Sequence, residues 1–198
     1  MSFVFSDITI SIDGFASGLG QTAEKPFGDS PAQELHRWMF EDAEENAAEI
    51  KAVAAADAFV MGRNMFGPDR GEFDLHWMGW WGPNPPYHGP VFVLSHHKRE
   101  PLEMEGGTTF TFVNDGIEAA LEQATAAAGA EGRVSIAGGA ATVNQYLKTG
   151  LINELRTHIA PVILGAGERL LLDVPARTVS IACARGSALA THISYRIE

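Results

Sequence analysis

The sequence predicts an α/β fold: a mixed sheet with helices on both faces and an antiparallel hairpin at the C-terminus. Three observations carry this. Short apolar runs at 58–61 and 91–94 and a strand at 134–136 alternate with segments of helical period, the pattern of a sheet covered on both faces. The last part of the chain is mostly strand, with 178–184 and 189–197 placed to pair through Arg185-Gly186-Ser187, so the sheet is mixed. The 198 residues, 45% hydrophobic and 20% charged, suit a single domain, 1–198.

Residues 3–13 read as the first strand. Ile8, Ile10 and Ile12 alternate with Asp7, Thr9, Ser11 and Asp13, the period of a half-buried strand. Gly14 and 17–20 end it in a loop. Ser30 as N-cap, Pro31 at the first position and Gln33 open a helix whose Leu35, Trp38 and Met39 share a face. A second helix is expected from Asp42 to about Ala56, packing through Ala43, Ala47, Ile50 and Ala54. Residues 58–61 are a strand buried on both faces, and 91–94 and 109–113 are two more. Asp115 with Glu118 opens a helix carried by Ile117, Ala120, Leu121 and Ala124. Strand 134–136 passes through Gly138-Gly139 into a helix with Val143, Tyr146 and Leu147, stopped at Gly150. A strand over 155–164, broken near Pro161, precedes the hairpin. The flanks of the single cysteine, Cys183, predict a buried strand thiol, and one cysteine excludes an intrachain disulfide.

Residues 67–90 have neither period. They hold five prolines and five glycines, yet also Trp77, Trp80, Trp81 and Tyr87. Disordered segments are poor in aromatics. The loop therefore reads as an ordered lid or pocket wall, or as a loop packed on its own domain or a partner subunit.

Fourteen basic against 25 acidic residues give a charge of −11. Such a surface repels nucleic acid and anionic membrane, so neither is expected as a partner. No apolar run has the length of a membrane span and no leader pattern opens the chain, so a cytoplasmic location is expected.

Three strand ends carry anion-binding chemistry. At Gly138-Gly139 the backbone can approach a ligand, with the N–H groups of the next helix and the Thr142 hydroxyl behind it. After strand 58–61, Gly62 leads into Arg63, which would grip a phosphate bidentately or lie solvated at the surface. Strand 91–94 ends in Ser95, His96 and His97. Adjacent residues of an extended chain point opposite ways, so no metal is expected at the histidine pair. GxGxxG is absent, which disfavours an ordinary dinucleotide fold.

Met61-Gly62-Arg63-Asn64-Met65-Phe66, Leu94-Ser95-His96-His97 and Ile136-Ala137-Gly138-Gly139-Ala140 resemble, in order, the three NADPH-binding segments of the dihydrofolate reductase superfamily. Ser11-Ile12-Asp13-Gly14, 84–88 and 161–169 resemble its riboflavin-biosynthesis branch, the RibD C-terminal domain. The resemblance covers about residues 4–197. It implies a dihydrofolate-reductase-like sheet with one antiparallel edge and NADPH as cofactor. Arg63, Ser95 and His96 would meet the adenosine 2′-phosphate. Gly62, Asn64 and Met65 would lie along the cofactor, and Gly138, Gly139, Ala140 and Thr142 would hold the pyrophosphate. Segment 16–20 would close over the nicotinamide. A cis peptide, where the family has one, would fall at Ala137–Gly138. His96 stands where true dihydrofolate reductases commonly carry arginine.

The family's early-helix acid falls nearest Glu34, with His36 as a rival and Asp13 as a second catalytic candidate; Glu34 would otherwise be a solvated first-turn acid, and Asp13 a turn former. Trp80 and Trp81, with Trp38, would stack on a small-molecule substrate. The activity implied is hydride transfer to a pterin-like, aminopyrimidine-like or imine acceptor. The rival readings are a dinucleotide- or heterocycle-binding protein without turnover, and an interaction protein that uses its tryptophan loop as an interface. A homodimer is compatible with each.

Overall fold

A computed structural model describes residues 2–29 and 31–198. Strand β1 (Phe3–Ser11) is followed by a 3-10 turn (Ala32–His36), α1 (Arg37–Phe40) and α2 (Ala47–Val53). Then come β2 (Ala58–Gly62), α3 (Arg63–Phe66), β3 (Pro90–Leu94), β4 (Leu102–Glu103) and β5 (Thr109–Val113). The chain continues through α4 (Gly116–Ala128), β6 (Arg133–Gly138), α5 (Ala140–Thr149), β7 (Glu154–Ala160), β8 (Val179–Gly186) and β9 (Thr191–Ile197). Among the described residues nine strands form one sheet in the order β4-β5-β3-β2-β6-β1-β7-β9-β8. The six strands from β5 to β7 are parallel. Both edges are antiparallel, β4 on β5 at one side and β7-β9-β8 at the other, where one antiparallel edge was expected.

Two apolar layers sandwich the sheet. Val4, Ile8, Val60, Val134 and Ile136 meet α4 and α5 through Ala120, Ala124, Val143, Tyr146 and Leu147. On the other face Phe59, Met61, Val91, Val93, Phe110 and Phe112 are covered by Phe66 and by the 67–90 loop. The first strand is thus not half-buried. It lies near the middle of a nine-stranded sheet, so Asp7, Thr9 and Ser11 are buried as well as Ile8, while Ile12, past its end, is exposed.

The first helix is shorter than its pattern, a 3-10 turn and four α residues, though Leu35 and Trp38 do face inward. Its expected cap, Ser30, lies outside the described residues. The second helix starts at Ala47, not Asp42, and buries none of its alanines. The residue it anchors by is Asn46, just before it, which is fully buried. Strand β7 stops at Ala160, before Pro161, which has no N–H for a ladder. Cys183 is exposed, contrary to expectation, because β8 is an edge strand that faces solvent.

The 67–90 loop packs on its own domain. Phe73 meets Phe66 and Phe112 edge-on, and Trp81 stacks on Phe110. Arg99 fastens the loop by donating to the carbonyls of Asp74, Leu75 and Trp77 (3.3, 3.2 and 2.7 Å). Hydrogen bonds from a charged donor contribute more than neutral ones. Arg99→Ala is expected to lower stability by about 2 kcal/mol in urea unfolding and to open residues 67–82 to proteolysis. Arg99→Lys should not restore the loop, since one ammonium does not reproduce the planar fork. An unaltered digestion pattern in Arg99→Ala would contradict this anchor.

Candidate functional site

The C-terminal ends of β2, β3 and β6 lie side by side, because these strands are parallel and β2 pairs with both others. There the glycines are fitted to their neighbours. A methyl group on Gly62 would collide with the Thr142 hydroxyl, and one on Gly138 would lie 3.0 Å from the Met65 sulfur. Gly138 also has φ +128, a conformation that L side chains rarely adopt. The cis peptide lies between Gly138 and Gly139, one residue later than expected, in a bond with glycine on both sides.

Helix α5 starts at Ala140 with Gly139 as its cap. The N–H groups of Thr142 and Val143 both go to the Gly139 carbonyl (3.0 and 3.1 Å). Those of Ala140 and Ala141 sit in the first turn, where backbone donors and the helix dipole favour an anion. The structure thus brings Gly62, Met65, Gly138, Gly139, Ala140 and Thr142 together.

Arg63 lies flat over the Phe73 ring (3.5 Å to its centre) and donates one N–H to the Glu72 carbonyl (3.3 Å). It is neither freely solvated nor buried. Desolvation lowers its pKa, opposed in part by Asp69. Ser95 is buried, and its hydroxyl accepts the His97 N–H (3.0 Å), closing the turn after β3. His97 turns to Glu72 (3.0 Å), while His96 is exposed. The 15–29 loop reaches the same edge: Gln21 donates to the Asn64 carbonyl (3.3 Å) and accepts from Arg70 (3.1 Å).

Asp13 sits at the end of β1 as an organiser of loops. Its carboxylate accepts the N–H groups of Leu164 (3.0 Å) and Gly165 (2.7 Å). The Ser11 hydroxyl, then these backbone donors, hold its pKa down to about 2 against an ordinary 3.8. A lowered carboxyl pKa adds stability that is fully present above the ordinary value and is lost as pH falls through the lowered one. The melting-temperature difference between wild type and Asp13→Asn should therefore be constant at neutral pH and shrink as pH drops from about 4 toward 2. A difference independent of pH would contradict this role.

Glu34 is not brought to the site. It lies on the outer side of its turn, about half exposed, and pairs with Arg37 (3.1 Å), while Leu35 and Trp38 take the inward positions. The three tryptophans expected to stack together on a substrate are also apart. Trp80 meets Trp77 edge-on and Trp81 belongs to the layer over β5, whereas Trp38 lies over β1, β7 and β9. Four strand intervals separate β5 from β1, roughly 19 Å.

Beneath Trp38 is a polar cluster that the sequence reading passed over. Asp7 Oδ1 bonds His158 Nε2, and His158 Nδ1 faces His192 Nδ1 at 2.6 Å. His192 Nε2 faces Asn46 Oδ1 (2.9 Å), and Arg185 reaches the same oxygen (3.0 Å) while pairing with Glu49 (2.8 Å). The Trp38 ring covers both imidazoles, with centres 4.5 and 5.1 Å away, and its Nε1 donates to Thr9 (3.2 Å). Burial, then His158, lowers the pKa of His192; the same two causes take His36, stacked on Phe27, down to about 4. A readable signal existed: an acid and two histidines in strands that turn out to be core, where charged groups are rare unless paired.

A model of the RibD C-terminal domain matches residues 2–194. The uncharacterized protein YyaP of Bacillus subtilis (strain 168) is 24% identical over 185 residues, 88% of this chain and 82% of its own. Among solved structures, the Thermotoga maritima diaminohydroxyphosphoribosylaminopyrimidine deaminase/5-amino-6-(5-phosphoribosylamino)uracil reductase superposes with a TM-score of 0.61 at 14% identity. That match covers 100% of this chain and 57% of the bifunctional one, so this chain spans little more than half of it. Enterococcus faecalis dihydrofolate reductase, in complex with NADP(H), superposes with a TM-score of 0.58 at 13% identity over 99% and 96% of the two chains. At such identities the likeness is one of fold, and the fold is that of dihydrofolate reductases.

Proposed function

The chain belongs to the RibD C-terminal domain family, and from that premise we propose that it is an NADPH-dependent reductase acting on a small heterocyclic acceptor, pterin-like or aminopyrimidine-like, or on an imine. The observation that carries this reading is the fit at the strand ends. The 62–65 and 138–142 segments meet there so closely that a methyl on Gly62 would collide with Thr142 and one on Gly138 would press on the Met65 sulfur. Such a cradle suits a ligand that must approach the backbone.

When bound, NADPH would supply a hydride equivalent. The residues fit it. The Ala140 and Ala141 N–H groups, with Gly138, Gly139 and Thr142, would hold the pyrophosphate at the start of α5. Arg63 would use the N–H groups that Glu72 leaves free, beside Ser95 and His96, for the 2′-phosphate. Gly62, Asn64 and Met65 would line the cofactor's path, and the 15–29 loop, clasped to Asn64 by Gln21, would exclude water.

The test is consumption of NADPH, followed by its absorbance, with three acceptors in turn: dihydrofolate, 5-amino-6-(5-phosphoribosylamino)uracil and 1-pyrroline. Stoichiometric consumption with one of them supports the reading. Tight NADPH binding without consumption would leave a dinucleotide-binding protein of the same fold. No helix among the described residues is long and apolar enough to cross a membrane, and the reading keeps the enzyme in the cytoplasm. It also keeps a homodimer, for which β8 offers an open edge with Val179 and Ile181 exposed. Light scattering should then give about twice the 21.3 kDa chain mass. The chain mass alone would contradict it.

A further inference from the structure

The hydrogen bonds around Asn46 fix where the protons lie in the cluster under Trp38. Asn46 Nδ2 donates to two backbone carbonyls, those of Trp38 (3.2 Å) and Asp42 (2.8 Å). Its Oδ1 is therefore the atom facing His192, and an amide oxygen only accepts. His192 must carry its proton on Nε2. Burial and the neighbouring His158 keep it from taking a second one, so its Nδ1 is a lone pair. His158 must then donate from Nδ1. Its Nε2 and Asp7 Oδ1 are left with one proton between them. The three hydrogen bonds are complete only when the trio holds one proton more than a carboxylate and two neutral imidazoles.

The other carboxyl oxygen, Asp7 Oδ2, is buried and has no hydrogen-bond partner among the described residues; neither has Ser135 Oγ. Both belong to the same face of the sheet, since Phe5 pairs with Ser135 and Asp7 lies two residues beyond Phe5 on β1. Buried polar atoms without partners are rare in folded proteins and call for an explanation. Here two of them sit on adjacent strands, one of which, β6, runs on into the glycines of the candidate cofactor cradle.

We infer that Asp7, His158 and His192 form a one-proton store, and that Asp7 Oδ2 is the atom from which the proton is offered to a ligand nitrogen lying on β1 and β6. The inference rests on the reductase reading only for the use made of the proton. A half-turn about the Asp7 Cβ–Cγ bond exchanges its two oxygens, so a proton taken up on the His158 side is presented on the free side. Transfer breaks the carboxyl O–H bond and forms an N–H bond on the ligand. The carboxylate left behind lies 3.7 Å from the Arg156 guanidinium, itself held by Glu154 (2.5 Å). Water returns the proton when the site is next open. The remaining titratable groups facing the trio are His36 above it and Glu49 with Arg185 beyond Asn46. Ser135 would accept or donate at the ligand's edge, which suits a ring with a C=N nitrogen.

The experiment is nitrogen-15 NMR of the full chain labelled at histidine, over about pH 6 to 8. We expect His192 protonated on Nε2 alone, His158 protonated on Nδ1, and one far-downfield proton that disappears in Asp7→Asn and in His158→Gln. Two independently titrating imidazoles, or His192 protonated on Nδ1 alone, would overturn the store. A second arm measures reduction of 1-pyrroline by NADPH alongside NADPH affinity from tryptophan fluorescence. In a wild type that turns the imine over, Asp7→Asn should be slower by roughly 100-fold or more with affinity changed less than about twofold. Equal rates would overturn the donor role. Absence of NADPH binding in the wild type would sink the reductase reading instead, and the NMR result would still decide the store.

Discussion

Gly62→Ala is expected to weaken NADPH binding by roughly 100-fold, the effect of about 2–3 kcal/mol of overpacking directed at the cofactor cradle. The backbone is no obstacle, because Gly62 has an extended conformation open to any residue (φ −77, ψ 157). The obstacle is the Thr142 hydroxyl, which the new methyl would meet in collision. Thr142 is buried in the first turn of α5, so relief must come from moving that turn and its N–H groups. The double variant Gly62→Ala/Thr142→Ala checks the cause. Without the hydroxyl, the nearest atoms to the methyl are Thr142 Cβ at 3.6 Å and the Gly138 carbonyl oxygen at 3.7 Å, ordinary contacts. Affinity should return to that of Thr142→Ala alone, a large non-additive coupling by calorimetry. Additive losses would show that Gly62 and Thr142 do not meet in solution.

Trp38→Ala should give the largest loss of stability, about 3–5 kcal/mol in urea unfolding. Trp38 is only 1% exposed, and it is a lid over charged and polar groups as well as core volume. Truncation would leave a cavity against both imidazoles and admit water to the Asp7 cluster. Trp38→Phe keeps most of the ring contact but removes the N–H bond to Thr9, and should cost about 1–2 kcal/mol. A change below about 1 kcal/mol in Trp38→Ala would mean that the segment over β1 and β7 is loosely held.

The fold was legible where periodicity was long or where apolar runs were bounded by glycine. Strands β2, β3 and β5, helices α4 and α5 and the C-terminal hairpin all follow from residues that contact each other as their pattern requires. Burial was less legible, because a strand's pattern does not tell how many neighbours it has. Alternation in β1 read as one wet face, but its polar residues are an interior network, and the apolar stretch around Cys183 lies on an outer edge. Boundaries failed where tertiary contacts decided them: α2 is held by Asn46 bonding through its side chain, a feature with no period.

The strand-end glycines were readable as a site because glycine at a strand–helix turn has a steric meaning of its own. The meeting of Gly62 with Thr142, 80 positions apart, was not, since it depends on which strands pair. The same holds for the acid. Analogy with an early-helix carboxylate pointed to Glu34, which is outside. The buried carboxylate comes from β1, and only the register of β1 with β7, which sets Thr9 opposite His158, brings Asp7 and the histidine together.

The most direct test of the cofactor site at the ends of β2, β3 and β6 is a titration of the purified protein with NADPH and NADH, followed by tryptophan fluorescence and calorimetry. Saturable binding of NADPH, tighter than NADH and weakened in Arg63→Ala, is the predicted result. Failure of the wild type to bind either dinucleotide would contradict the account.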